Sequence, residues 1–273
     1  MDAVPITGGD FSCVLTRLAH EPAVLVSVVR VQGSVPREPG AWMAVFAADT
    51  VGTIGGGRLE WEAEQEARAL LAQPRPTRRE RRVPLGPSLG QCCGGVVQLA
   101  LERVGPEDVA ALTRRWDPAQ RPLALFGGGH VGRALVQALA PLPFRVRWID
   151  SRDGAFPEAL PPGVTTEHSD PVHRAVPELS AGSLVLVMSF SHAEDLDIVA
   201  ACLDRLRRHD DLPFIGLIGS RTKWGTFRHR LLARGYAEAE LARITCPIGL
   251  PGLPGKAPAV IAASVAAQLL MLP

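Results

Sequence analysis

The chain has 273 residues, of which 47% are hydrophobic, and this is enough for two compact domains with cores of their own. Lys and Arg number 29 against 28 Asp and Glu, so the net charge of +1 gives no indication of a nucleic acid or an anionic membrane as partner. The amino terminus lacks the basic and apolar stretches of a signal peptide, and the five cysteines are irregularly spaced. We therefore expect a cytoplasmic protein with reduced thiols whose partner is a small ligand or another protein.

The first 110 residues have the pattern of a mixed α+β domain. The β-branched run Ala23–Val31 and the segment Ala41–Ala47 predict a hairpin-like pair of strands. A glycine-rich turn then leads into Arg58–Ala72, where apolar residues recur at helical spacing. Two further strands are predicted over Thr77–Pro84 and Val96–Arg103.

Three consecutive glycines, Gly55, Gly56 and Gly57, stand at the start of the predicted helix. Backbone N–H groups at this position lie beside the positive end of the helix dipole, which suits a phosphate or another anion. A flexible connector has the same composition, so both interpretations stay open at this point.

Two adjacent cysteines lie between the two later strands, in the run Gln91-Cys92-Cys93, with glycines on both sides. The thiolate is the reactive form of cysteine, and neighbouring glycines keep the sulfur accessible and let backbone N–H groups approach an anion. Adjacent cysteines cannot easily form a disulfide with each other. The arrangement favours thiol chemistry at this loop, and the alternative is that Cys92 and Cys93 are small buried hydrophobes.

A change in composition over Gly105–Pro122 separates the two halves, and we place the domains at 1–115 and 116–273. The second domain begins with a predicted strand, Leu123–Phe126, followed by a helix, Arg133–Ala140, and a strand, Phe144–Ile149. This order is typical of a dinucleotide-binding βαβ unit.

The glycines of this unit, Gly127, Gly129 and Gly132, fit the G-x-G-x-x-G spacing. The first glycine makes the turn, the second admits a pyrophosphate and the third allows close packing of helix and strand. Asp150 follows at the end of the second strand, where a carboxylate accepts the ribose hydroxyls of NAD and repels the extra phosphate of NADP, for which Arg152 nearby could compensate. A Rossmann-like domain that holds a different ligand has the same pattern.

Strands and helices continue to alternate in the later part of the chain, which predicts a mostly parallel sheet. Polar residues follow two of these strands, among them His192 with Asp195 after Ser183–Met188, and Ser220 after Pro213–Ile218. Ligands of such sheets gather at the carboxyl ends of the strands. His192 is a candidate general base or hydrogen-bond donor and equally a surface cap, and Ser220 equally begins the next helix.

Two apolar features are assigned to the interior. The segment Ala257–Leu272 is shorter than the roughly 20 residues that cross a bilayer, so it predicts a buried carboxy-terminal helix. Cys202 shares a predicted helix face with Val199 and Leu206 and is expected in the core.

Several motifs along nearly the whole chain carry a resemblance. They are Gly33-Ser34 with Pro36-Arg37 and Gly40, Gly52-Thr53-Ile54-Gly55-Gly56-Gly57-x-Leu59-Glu60, Leu89-Gly90-Gln91-Cys92-Cys93-Gly94-Gly95, Phe126-Gly127-Gly128-Gly129-His130-Val131-Gly132, Gly216-Leu217-Ile218-Gly219-Ser220-x-x-Lys223 and Cys246-Pro247-Ile248-Gly249. In combination they resemble the xanthine dehydrogenase accessory protein family, the XdhC/CoxI proteins. The expected fold is α/β, with an amino-terminal mixed α+β domain followed by a Rossmann-like doubly wound parallel-sheet domain.

The resemblance implies a chaperone that binds molybdenum cofactor (molybdopterin) and protects it while a cysteine desulfurase partner adds the terminal sulfur. It then delivers the cofactor to apo xanthine dehydrogenase, as a maturation factor rather than an enzyme. Within this interpretation Cys93 is the thiol nearest the metal or its labile sulfur, Gln91 and Cys92 support it, and Gly55–Gly57 donate to the phosphate. We expect a homodimer.

Three questions stay open on the sequence. The Rossmann half binds NAD(P), the molybdenum cofactor or nothing. One rival function is an NAD-dependent oxidoreductase, although the single tyrosine, Tyr236, has no lysine four places on and His192 would have to act alone. Another is a sulfurtransferase in which Cys93 itself carries a persulfide, which requires an exposed thiol of low pKa.

Overall fold

A computed structural model describes residue 6 and residues 11–73, 78–86, 94–116 and 120–273. The chain divides into two compact units, residues 1–119 and 120–273. Among the described residues, no helix has the length and apolar character needed to cross a membrane.

The first unit is an antiparallel five-stranded sheet with helices on both faces. Its strands are β1 (Ala23–Gln32), β2 (Trp42–Val45), β3 (Thr50–Gly52), β4 (Arg78–Pro84) and β5 (Val96–Val104), in the order β3-β2-β1-β5-β4, and its helices are α1 (Ser12–Leu18), α2 (Gly57–Leu71) and α3 (Val109–Arg115). The predicted hairpin pair is confirmed as β1 and β2, and the two later predicted strands are confirmed as β4 and β5, which pair with each other.

Helix α2 covers one face of this sheet because its apolar residues recur on one side. Leu59, Ala63, Ala67 and Leu70 are buried and share a core with the β-branched residues of β1. Phe11, Trp42 and other buried residues form a second cluster with α1 and α3. Strand β1 is central, so its first six residues are buried on both faces, and all of them except Ser27 are apolar.

The second unit contains a six-stranded sheet in which every pairing is parallel. Its strands are β6 (Arg121–Phe126), β7 (Phe144–Asp150), β8 (Val164–His168), β9 (Leu184–Val187), β10 (Phe214–Leu217) and β11 (Ile244–Thr245), and its helices are α4 (His130–Leu139), α5 (His192–His209), α6 (Arg221–Ala233), α7 (Glu238–Leu241) and α8 (Pro258–Leu270). The order β11-β10-β9-β6-β7-β8 is that of a Rossmann domain, and it confirms the predicted fold class.

Helices cover both faces of this sheet. Helices α4 and α8 pack on one face, and α5 and α6 lie on the other with a 3-10 helix over Val172–Glu178. Cys202 is fully buried in the second of these cores, as predicted. From β6 the strands are added first towards one edge of the sheet, as β7 and β8, and then towards the other, as β9, β10 and β11. At such a switch point a crevice opens outside the carboxyl ends of the two adjacent strands, here β6 and β9.

Candidate functional site

Loops that contain the sequence motifs of the first unit meet at one end of its sheet. The loop after β1 contributes Pro36. A Cβ atom added to Gly55 would lie only 2.6 Å from the ring of Pro36. Arg37, next in the same loop, donates a hydrogen bond to the carbonyl oxygen of Thr53 at 3.2 Å. Gly95 lies against the start of this loop, so closely that a Cβ there would overlap the carbonyl oxygen of Ser34. Neither position has room for a side chain, because the Pro36 ring lies against Gly55 and backbone carbonyl oxygens lie against Gly95.

The predicted cofactor residues Gln91, Cys92 and Cys93 lie outside the described residues. On either side of that segment, Pro84 pairs with Val96 across β4 and β5, and the N–H of Leu85 donates to the carbonyl oxygen of Gly95 at 2.8 Å. The paired ends of β4 and β5, which flank this segment in the sequence, therefore lie where Gly95 meets the loop after β1.

The N–H groups of the glycine turn before α2 already bind a carboxylate of the chain itself, that of Glu60. All three residues, Gly55, Gly56 and Gly57, have positive φ angles, of 124°, 72° and 64°. Glu60 in the first turn of α2 accepts hydrogen bonds through Oε2 from the N–H groups of Ile54 at 2.9 Å and Gly56 at 3.1 Å. An external phosphate at this turn stays a prediction, and it would have to displace the Glu60 carboxylate.

In the second unit, the predicted glycine fingerprint forms the tight turn between β6 and α4. Gly127 has a φ of 124°, and a Cβ there would overlap the carbonyl oxygen of Met188. A Cβ on Gly132 would overlap the carbonyl oxygen of Gly127, whereas Gly129 faces open space. The amino terminus of α4 has no side-chain cap. These positions match what the three glycine roles require, while the ligand itself stays a prediction.

Asp150 does not have the environment predicted for a ribose acceptor. Its side chain is buried, and Oδ2 accepts from the N–H of Gly128 at 2.5 Å and from Nη2 of Arg152 at 2.9 Å. Oδ1 accepts from the N–H and from Nε of Arg152, both at 2.9 Å. Burial opposes ionisation most, yet the hydrogen bonds from Arg152 and Gly128 outweigh it and hold the pKa of this carboxyl below its ordinary value.

A carboxylate has about four lone-pair sites, and all four of those on Asp150 have partners inside the protein. Asp150 therefore fixes the glycine turn to the residues after β7. Ala155 also contacts the glycine turn. It lies beside Gly128, and its carbonyl oxygen accepts a hydrogen bond from Nη2 of Arg133 at 2.9 Å. The proposed contact of Asp150 with ribose hydroxyls would require one of these bonds to break.

The polar clusters after β9 and β10 come together through Asp195 of the first and Lys223 of the second, rather than through the candidate site residues His192 and Ser220. His192 is exposed at the start of α5, and Ser191, not His192, caps that helix by accepting from the N–H of Glu194. Ser220 caps α6 by accepting from the N–H of Lys223 at 3.1 Å. The contact between the two clusters is a buried ion pair in which Nζ of Lys223, in α6, donates to Oδ2 of Asp195, in α5, at 2.6 Å.

Sequence reasoning did not single out three contacts near these loops: those of Glu60 with its turn, the hydrogen bond from Ser151 to Glu194 at 2.6 Å, and Arg152 over the ring of Phe190 at 4.7 Å. A signal for Glu60 exists, because a glutamate three residues after the last glycine of such a turn is in register to accept from the turn. No signal marks the other two, because they depend on which loops meet across the sheet.

The strand order and the glycine turn define a protein with a Rossmann domain. Residues 123–269 match the family model described as the XdhC Rossmann domain, and residues 17–82 match that of the XdhC and CoxI family. The chain belongs to the XdhC family, as the motifs predicted.

Individual proteins that resemble this chain are less than 30% identical to it. A curated protein from Escherichia coli (strain K12), described as uncharacterized protein YqeB, is 29% identical over 255 residues, which are 92% of this chain and 43% of that protein. The chain thus spans less than half the length of this relative. A crystal structure described as a xanthine dehydrogenase from Bacillus halodurans matches with a TM-score of 0.75 at 20% identity, over 95% of this chain and 94% of that one, and shares the fold. A Rossmann-fold NAD(P)-binding family protein from Shigella flexneri matches 56% of this chain and 89% of its own with a TM-score of 0.38 at 18% identity.

Proposed function

We propose that this chain is a maturation factor that binds molybdenum cofactor, protects it while a cysteine desulfurase partner adds the terminal sulfur, and delivers it to apo xanthine dehydrogenase. Membership in the XdhC family supports a maturation role. One contact in the first unit supports a binding site there. The loop after β1 contacts both Gly55 and Gly95, and Gly95 follows the cysteine segment closely in the sequence.

The two ends of the cofactor differ in chemistry, and the two loops match them. Soft thiolate ligands suit a molybdenum–sulfur centre, which assigns Cys93 to the metal end with Cys92 and Gln91 beside it. Consecutive N–H groups at the start of α2 suit a phosphate, which assigns Gly55–Gly57 to the other end. Glu60 holds the turn in a conformation that accepts an anion, and a phosphate would take over its hydrogen bonds.

The alternatives gain little from the described residues. Tyr236 is the single tyrosine, its hydroxyl donates to Asp204 at 2.9 Å, and burial raises its pKa to about 12, which does not suit an acid catalyst. The sulfurtransferase alternative rests on Cys93, because burial raises the pKa of Cys202 to about 12 and that of Cys246 to about 11, which does not suit either thiol to carry a persulfide.

The test is the amount of molybdenum retained per protein after anaerobic incubation with molybdenum cofactor and gel filtration. The intact protein is expected to retain the metal stoichiometrically, and Cys93→Ala to lower the affinity at least tenfold, about 1.4 kcal/mol. Cys13→Ser is the matched control, because Cys13 is an exposed thiol in α1 of the same unit. No retention by the intact protein would refute the carrier function, and retention unchanged by Cys93→Ala would move the metal away from the cysteine segment.

A persulfide on the protein itself is a separate outcome. Mass spectrometry after mixing with a cysteine desulfurase and cysteine would show an added sulfur on the Cys92–Cys93 peptide if the chain acts as a sulfurtransferase. An unmodified peptide together with stoichiometric molybdenum retention supports the carrier function.

A further inference from the structure

An exposed aromatic ring marks the crevice of the Rossmann unit. Phe190, after β9, is 66% exposed, and the guanidinium carbon of Arg152, after β7, lies 4.7 Å from the centre of its ring. Because β6 lies between β7 and β9, this contact spans the carboxyl end of β6, where its glycine turn begins. A large apolar ring left exposed at such a position is a surface on which a planar ligand can stack.

The same place holds a hydrogen-bond acceptor without a partner. Glu194, in the first turn of α5, accepts from the hydroxyl of Ser151 through Oε1 at 2.6 Å. Its other oxygen, Oε2, is buried and has no hydrogen-bond partner among the described residues. Buried polar atoms are nearly always paired, so this oxygen is an acceptor that a bound group can use. An amino or hydroxyl group of a ligand would supply the donor.

We propose that this crevice binds the adenosine part of an adenine nucleotide, with the base stacked on Phe190 and an amino or hydroxyl group donating to Oε2 of Glu194. Asp150 cannot fill this role without losing an internal bond, since its four acceptor sites are occupied. The pyrophosphate would lie at Gly129, where a Cβ would meet no neighbouring atom and α4 is uncapped. Glu194 thus takes over the ribose or base contact that the sequence assigned to Asp150.

The local charge also selects among nucleotides. Two carboxylates act on the Arg152 guanidinium: Asp150 is hydrogen-bonded to it, and Glu194 is near enough to help raise its pKa. An additional phosphate on the ribose would be repelled by Glu194, and the Arg152 guanidinium that could attract it is already paired with Asp150. We therefore expect NAD⁺ and ADP to bind at least tenfold more tightly than NADP⁺.

The test is calorimetric titration of the full-length protein with NAD⁺, ADP and NADP⁺. Glu194→Gln and Phe190→Ala are each expected to weaken NAD⁺ binding at least tenfold, and Phe190→Trp to retain it, because a stacked base requires an aromatic face. Matched controls are Glu178→Gln, which removes an exposed carboxylate from the 3-10 helix, and Leu270→Ala, which shortens an exposed apolar residue of α8. Both controls are expected to leave binding unchanged.

Several results would overturn the proposal. One is the absence of heat with NAD⁺ or ADP at millimolar concentration, and another is binding that neither Glu194→Gln nor Phe190→Ala alters. Equal affinity for NADP⁺ would rule out Glu194 as the acceptor, as would loss of NAD⁺ binding in Asp150→Asn with an unchanged thermal transition. Because molybdenum retention is measured separately, failure here is distinguishable from failure of the carrier function.

Discussion

The ammonium group of Lys223 lies 2.6 Å from Oδ2 of Asp195, and the two side chains are only 10% and 3% exposed. Nζ of Lys223 also donates to the carbonyl oxygen of Ile218 at 2.8 Å, and Oδ1 of Asp195 accepts from the N–H and the hydroxyl of Ser189, both at 2.8 Å. The pair therefore ties the residues after β9 to those after β10, at the carboxyl edge where the crevice opens.

Lys223→Met is expected to lower the free energy of unfolding by about 3–5 kcal/mol, because it leaves the Asp195 carboxylate buried without its cation. Arg228→Met is the matched control on the same helix, since Arg228 pairs with Glu238 where both side chains are about half exposed, and it is expected to cost less than about 1 kcal/mol. Urea denaturation measures both. Equal costs would show that the buried pair contributes no more than a surface pair.

Periodicity and glycine spacing are sufficient to predict the central part of the fold. Strands β9 and β10 are predicted because central parallel strands are apolar on both faces, and the fingerprint glycines are predicted because their backbones must approach closely. Strand β8 is missed because it lies at the sheet edge, where Thr165 and Thr166 are exposed and give no apolar pattern. Strand β11 is missed because it has only two residues.

The site is less predictable because partners are chosen in three dimensions. Asp150 stands at the predicted place, at the end of β7, but its carboxylate binds the N–H of Gly128 and the Arg152 side chain. The predicted N–H donor Gly56 is likewise occupied by Glu60. Sequence spacing identifies which groups lie near each other, and the choice among competing donors and acceptors depends on loop conformations that spacing does not encode.

The glycines of the Rossmann turn are expected to separate folding from ligand binding. Gly132→Ala places a Cβ against the carbonyl oxygen of Gly127 and is expected to destabilise the protein by about 1–3 kcal/mol. Gly129→Ala meets open space and is expected to change stability by less than about 0.5 kcal/mol while weakening NAD⁺ binding, because the added methyl group occupies the approach of the pyrophosphate. Thermal unfolding and titration of both variants check this. Similar stability losses in the two variants would contradict it.

Glu60 is expected to stabilise the turn that precedes α2. Glu60→Ala removes the acceptor of the Ile54 and Gly56 N–H groups and of the Thr53 hydroxyl, at a cost of about 1–2 kcal/mol in unfolding free energy. Gln65→Ala, at an exposed position of the same helix, is the control and is expected to stay within about 0.5 kcal/mol. Denaturant midpoints measure the difference. Indistinguishable midpoints would mean that the turn is stable without its internal anion.

The thiols of the described residues are expected to differ in reactivity. Cys13 is exposed, whereas Cys202 is buried and Cys246 is partly buried, and burial raises the pKa of the latter two to about 12 and about 11. The thiolate is the species that reacts with iodoacetamide. At pH 8 we expect Cys13 to be alkylated at least a hundredfold faster than either, as followed by peptide mass spectrometry. In urea the three rates should converge, and a native Cys246 rate equal to that of Cys13 would contradict the assignment.

The raised pKa of Cys202 also predicts how stability changes at alkaline pH. Its folded pKa of about 12 lies above the ordinary value of 9.0, so its contribution is complete below about pH 9 and is lost as the pH rises towards 12, because the unfolded state releases the thiol proton first. Between pH 8 and pH 10.5 the intact protein is expected to lose about 1–2 kcal/mol more unfolding free energy than Cys202→Ala. The cavity left by the substitution lowers stability equally at both pH values, so the comparison isolates the thiol. Urea denaturation at the two pH values measures this difference, and parallel losses in the two proteins would show that Cys202 does not titrate on unfolding.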